Sequence, residues 1–88
     1  MKILYTTKFV ASYKKLQNSV KTEAEKKEQL FRKDPFDPIL KTHKLTGKLK
    51  GFWSFSIDRK YRVIFEFSGK NEVVFHIAGS HDIYKSKN

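Results

Sequence analysis

Two hydrophobic periods succeed one another along this chain. Residues 2–6 place Ile3 and Tyr5 on one side and Leu4 on the other, the period of two that a short strand requires. From Lys8 to Gln17 the apolar residues Phe9, Tyr13 and Leu16 recur at helical spacing, with Lys8, Lys14 and Lys15 toward solvent and Thr6 or Thr7 as the cap. Asn18-Ser19 reads as a turn that also caps a second helix, Val20 to about Lys33. Its apolar stripe is sparse: Val20, Ala24, Leu30 and Phe31. The opposite side mixes Glu23, Glu25 and Glu28 with Lys26 and Lys27, the pattern of a solvated face with pairs one turn apart. Asp34-Pro35 ends the helix, and the stretch from Pro35 to Pro38 is a stiff connection.

Beyond residue 36 the period returns to two and aromatic side chains dominate. Trp53, Phe55 and Ile57 alternate with Ser54 and Ser56, and Asp58-Arg59-Lys60 is a polar turn. Tyr61, Val63, Phe65 and Phe67 then share one face, against Arg62, Ile64 and Glu66 on the other. Ser68 to Asn71 closes a hairpin into the strand Val73–Ile77, with Gly69 available for a positive φ, and Gly79 is expected to break that strand before a short tail. The fold class that follows is α+β: a strand, a two-helix hairpin and a three-stranded antiparallel meander. The helices must cover one face of the sheet to bury Trp53, Phe55, Val63 and Phe65. The first strand is expected to pair with the meander, and the second face, carrying Ser54, Ser56 and Arg62, to stay open.

At 88 residues the chain forms one domain, spanning 1–88, with a thin core. It has no cysteine, so neither a disulfide nor a thiolate metal site can reinforce that core. The apolar stretch at the N-terminus is too short and interrupted for a signal peptide or membrane span, which makes the cytoplasm the expected compartment and excludes a membrane partner. Nineteen Lys and Arg against nine Asp and Glu leave a formal charge of +10. Solubility of a small domain needs a net charge of only about 2–8. The excess therefore favours a polyanion or an acidic protein as partner.

Histidine is the chemistry-bearing residue to place next. There is no HExxH, and the adjacent His81-Asp82 is the only tight His/Asp cluster, so neither metal nor other cofactor is expected. His76, inside VVFHI, reads as a half-exposed strand residue. His43 in KTHKL and His81 after Gly79-Ser80 lie in connecting segments at the edge of the sheet, where functional residues usually sit on a rigid scaffold. Cleavage of RNA without metal needs a base for the 2′-hydroxyl, a cation for the phosphorane, an acid for the departing 5′-oxygen and a group that holds the nucleotide splayed. Histidine suits either proton transfer, arginine the phosphate, and tyrosine the base. Taken singly, each has a structural alternative: Arg62 paired with Asp58 or Glu66, His43 in a surface loop, Tyr84 as a tail anchor packed on the sheet.

The stretch HKLTGKLKGFWSFSIDRKYRVIFEF, residues 43–67, followed by VVFHIAGSHDIY, residues 73–84, resembles the RelE/ParE toxin superfamily, in particular its YafQ-like and YoeB-like ribosome-dependent ribonucleases. The telling pieces are Leu45 to Ser54, the strand Tyr61 to Phe65, and Gly79 to Asp82. The resemblance implies an mRNA endoribonuclease acting in the ribosomal decoding site, with ribosomal RNA gripped by lysines and a cognate antitoxin wrapped on the basic surface. It makes His43 the candidate base, Arg62 the phosphate ligand, His81 the candidate acid and Tyr84 the aromatic that orients the nucleotide. Lys48, Lys50 and Lys60 become the RNA-binding lysines. Two acid/base positions of YafQ-like toxins appear here as Ser56 and Lys60, and Tyr84 follows His81 by three residues where four is usual. The competing readings are a ParE-like toxin that inhibits DNA gyrase on the same fold, and a catalytically weak antitoxin-binding module.

Overall fold

The structure is a computed structural model, which describes residues 1–86. Strand β1 (Lys2–Tyr5) leads into helices α1 (Thr7–Lys14) and α2 (Asn18–Lys33). A short 3-10 turn at Pro38–Leu40 and a two-residue strand, β2 (His43–Lys44), follow. A second 3-10 turn at Gly47–Leu49 precedes β3 (Trp53–Ser56), β4 (Tyr61–Gly69) and β5 (Glu72–Ser80), and α3 (Ile83–Ser86) closes the chain's described part. The strands form one sheet in the order β1-β5-β4-β3-β2. β1 runs parallel to β5, while the other neighbours are antiparallel. The expected α+β architecture is present, with the first strand joined to the meander and β2 added at the opposite edge.

Capping decides where the helices begin. Thr6 is extended, and its side chain accepts the Phe9 N–H at 3.0 Å, which satisfies one of the orphan donors of α1. The same hydroxyl donates to the His76 carbonyl at 3.1 Å and so ties the start of the helix to the sheet. The second helix begins earlier than its apolar stripe suggests: Gln17 is the cap residue, without a side-chain bond, and Asn18 and Ser19 lie in the first turn.

The main core lies between the helices and one face of the sheet. Phe31 of α2 is fully buried, with ring centroids 5.0 Å from both Phe55 and Phe65 and 5.5 Å from Phe75. Phe9, Leu16, Val20 and Val63 complete its walls. Trp53 is only half-buried, at the rim, where it meets Phe36 and Phe67 edge to face. Pairing of Trp53 with Phe65 and of Ser56 with Arg62 puts Trp53 and Arg62 on opposite faces, as the alternation requires.

One residue changes the second face. Ile64 pairs with Ile77 but Phe65 with Phe75, so β5 carries His76 as an extra residue. A bulge of this kind reverses the alternation beyond it. Phe75 belongs to the helix-side core, whereas Ile77 joins Leu49, Ile64 and Ile83 in a second cluster, with Leu45, Phe52 and Tyr84 packed against it. The second face is therefore partly closed and not open, because the tail folds back over it. Gly79 does not break the strand: β5 continues to Ser80. A Cβ on Gly79 would lie 2.4 Å from Ile83 Cγ2, so glycine is what lets Ile83 settle on β5. In the β4–β5 turn Asn71, at φ 61°, takes the left-handed conformation expected of Gly69. Asparagine tolerates that region because its short side chain can bond locally.

Candidate functional site

The four candidate residues come from four segments and meet at one depression. Its lining is His43, Leu45, Thr46, Leu49, Arg62, His81 and Tyr84, around a volume of about 360 Å³. β2 supplies His43, β4 supplies Arg62, the turn after β5 supplies His81 and α3 supplies Tyr84. The apolar floor is the second cluster, whose Leu49 and Ile83 are buried. Gly47 and Gly51, at φ 65° and 99°, bracket the turn that brings Thr46 and Leu49 to the rim. A larger cavity of about 410 Å³ runs across the same turn to Phe52 and Trp53, and neither His43, Arg62 nor His81 lines it.

Each side chain is held differently. His43 is exposed, but not in a loop as its sequence surroundings suggest; it pairs with Ser54 in the β2–β3 ladder. Its Nδ1 lies 3.0 Å from the Lys41 carbonyl. A carbonyl can only accept, so Nδ1 carries the proton and the neutral ring presents its lone pair at Nε2. Lys41 adopts the left-handed conformation, φ 53°, to offer that carbonyl. Arg62 donates from Nη1 to the carbonyls of Asp58 and Tyr61, the latter at 3.0 Å. Neither expected acid pairs with it among the described residues. Glu66 binds His76 Nε2 at 2.6 Å, and the Asp58 carboxylate accepts the backbone N–H groups of Lys60 and Tyr61 at 2.9 and 2.8 Å. The cationic group is thus fixed through carbonyls, which hold its position without neutralising it.

His81 is exposed, and its carbonyl accepts the Tyr84 N–H at 3.2 Å. The two rings lie 6.1 Å apart. The Tyr84 hydroxyl lies 2.8 Å from Ser54 Oγ, and Ser54 is fully buried. Tyr84 therefore anchors the tail through its hydroxyl as well as lining the depression. Ser56, opposite Arg62 in the ladder, is buried, and Lys60 is exposed with Nζ 5.5 Å over the Tyr61 ring. Lys48 and Lys50 are both exposed on the turn that forms one rim. His76 stays outside the depression, bonded to Glu66 and edge-on to Phe52 at 5.1 Å.

Sequence reasoning passed over Lys41 and Arg59. Lys41 stands two residues before a candidate histidine, close enough for its backbone to fix the ring, but its left-handed geometry has no sequence signature. Arg59 appears in sequence as one residue of a polar turn, and only the folded turn sets it beside Arg62. Among the described residues no three His, Asp or Glu side chains gather in an arrangement that could hold a metal, and no helix is long and apolar enough to cross a membrane.

The fold is that of small toxin domains of known structure. A YoeB/ParE toxin from Agrobacterium tumefaciens superposes with a TM-score of 0.77 at 20% identity, covering 92% of this chain and 99% of that one. YafQ from E. coli strain BL21(DE3) gives 0.78 at 20% identity, covering 94% and 96%. The E. coli DinJ-YafQ toxin-antitoxin complex gives 0.75 at 21% identity, covering 93% of each chain. No curated protein matches in sequence. Residues 12–81 match the family of HigB-like toxins, described as the RelE-like toxin of the type II toxin-antitoxin system HigB, and the chain belongs to that family.

Proposed function

We propose that this toxin is an endoribonuclease that cuts mRNA on the ribosome without a metal ion, by attack of a 2′-hydroxyl on the adjacent phosphate. The observation that carries the reading is the meeting of His43, Arg62, His81 and Tyr84 at one depression. His43, with Nδ1 bonded to the Lys41 carbonyl, accepts the 2′-hydroxyl proton at Nε2. The freed oxygen attacks phosphorus, and Arg62 stabilises the charge that builds on the phosphorane oxygens. His81 protonates the departing 5′-oxygen. The products are a 2′,3′-cyclic phosphate and a 5′-hydroxyl, and the two histidines exchange their protonation states over the cycle. The Tyr84 ring stacks on a base next to the cut.

The charge of +10 supports ribosomal RNA as the docking surface, with Lys48 and Lys50 exposed on the turn that contributes Thr46 and Leu49 to the depression, and Lys60 on the turn beside Arg62. Membership of a toxin-antitoxin family, together with the solved complex of a similar toxin with its antitoxin, supports a cognate antitoxin as the second partner. The test is translation in a purified system with mapping of mRNA 5′ ends. New ends bearing 5′-hydroxyls, dependent on this protein and on ribosomes, are expected. Intact mRNA under conditions that arrest growth would refute the reading and turn attention to gyrase.

A further inference from the structure

Arg62 lines two depressions at once. The second, of about 200 Å³, is walled by Lys41, Arg59, Asp58, Lys27 and the exposed Ile39. Its charges differ in availability. Lys27 is engaged by the Glu23 carboxylate at 3.3 Å and the Ile57 carbonyl at 3.0 Å. The Asp58 carboxylate is turned through Oδ1 into the backbone of the following turn. Lys41 and Arg59 are exposed, and no carboxylate pairs with either among the described residues. Arg62, its guanidinium held by the carbonyls of Asp58 and Tyr61, lines both this basic depression and the one that holds the histidines.

The backbone of Lys41 joins the two sites a second time. Its left-handed conformation lends the carbonyl to His43 Nδ1, while the same residue lines the other depression. A polyanionic strand crossing Arg62 thus leaves a site with proton-transfer groups and enters one where the side chains without a carboxylate partner among the described residues, Lys41 and Arg59, are both cations.

We propose that the Lys41–Arg59 depression is a second phosphate subsite, which seats the RNA backbone phosphate next to the scissile one, with Arg62 between the two. Lys41 and Arg59 supply the charge, and Ile39 offers the rim an apolar surface against which a sugar or base can pack. The subsite rests on the nuclease reading for the identity of the first phosphate. It contributes positioning: with the neighbouring phosphate fixed, the scissile one cannot slide along the strand relative to His43 and His81.

The probe is a 2′-O-methyl RNA hexamer, which cannot be cleaved because the attacking oxygen is capped, titrated into the isotopically labelled protein. Amide signals of Lys41 and Arg59 are expected to shift together with those of His43, Arg62 and His81. The double variant Lys41→Gln, Arg59→Gln removes two exposed charges and keeps a polar side chain at each position. It should bind the hexamer about threefold to tenfold more weakly, and the slope of log affinity on log salt should become shallower by about 0.7, one phosphate contact. An unchanged denaturation midpoint confirms that the variant is folded.

Shifts confined to His43, Arg62 and His81, with the salt slope unchanged in the double variant, overturn the subsite and leave the nuclease reading standing. A hexamer that shifts none of these signals overturns the subsite as well. If the hexamer shifts both sets while mRNA on ribosomes stays intact, the nuclease reading fails and the phosphate subsite stands.

Discussion

Replacing Gly79 by alanine tests how the tail is seated over the site. The backbone at Gly79 has no positive φ, so alanine meets no conformational bar there. The obstacle is steric: the new Cβ would lie 2.4 Å from Ile83 Cγ2, where carbon atoms need about 3.5–4.0 Å. Ile83 must retreat by roughly 1 Å or more. It is buried against Leu49, Ile64 and Ile77, and a β-branched side chain has few rotamers to escape into. Moving α3 instead strains the Tyr84–Ser54 bond and threatens to strand a buried hydroxyl. Either route costs about 1–3 kcal/mol. For a domain of this size, with a total stability of roughly 4–13 kcal/mol, that is a large share. Urea denaturation of Gly79→Ala, Ile83→Ala and the double variant measures it. Ile83→Ala alone should cost about 2–4 kcal/mol, and Gly79→Ala in that background should cost at least about 1 kcal/mol less than in the wild type. Additive losses would show that Gly79 is not there to admit Ile83.

Two further substitutions probe the scaffold. Phe31→Ala empties a fully buried position between Phe55, Phe65 and Phe75 and should cost about 3–5 kcal/mol in thermal or chemical denaturation; a loss under about 1 kcal/mol would mean that the helices are not seated as described. Tyr84→Phe leaves the buried Ser54 hydroxyl without its partner and should cost about 1–3 kcal/mol, part of which Ser54→Ala should restore in the double variant. No restoration would show that the bond does not anchor the tail.

The sequence was most legible where alternation ran unbroken. Phe55 against Val63 and Trp53 against Phe65 follow from a period of two, and so does the placing of Arg62 on the face opposite the main core. Legibility failed at His76, because a bulge adds a residue without any compositional mark and everything beyond it changes face. That one residue accounts for Ile77, Gly79 and the closure of the second face, none of which a strict period could give. The two-residue β2 was hidden for another reason: it is too short to show a period, and its pairing depends on β3. His43, Arg62, His81 and Tyr84 could be picked out by residue type and by resemblance. The carbonyls that orient His43 and Arg62, and the neighbouring cations Lys41 and Arg59, became visible only in three dimensions.

The claim that matters most is that one phosphate lies among Arg62, His43 and His81 and is cut there. Its most direct test is the rate of mRNA cleavage on programmed ribosomes, compared between the wild type, Arg62→Ala and His81→Ala at saturating protein. Arg62→Ala should lose about 10²–10³ in rate through the missing donor to the phosphorane oxygens, and His81→Ala roughly 10²–10⁴ through the missing acid, with both variants folded. Wild-type cleavage rates in both variants would contradict the assignment of these residues.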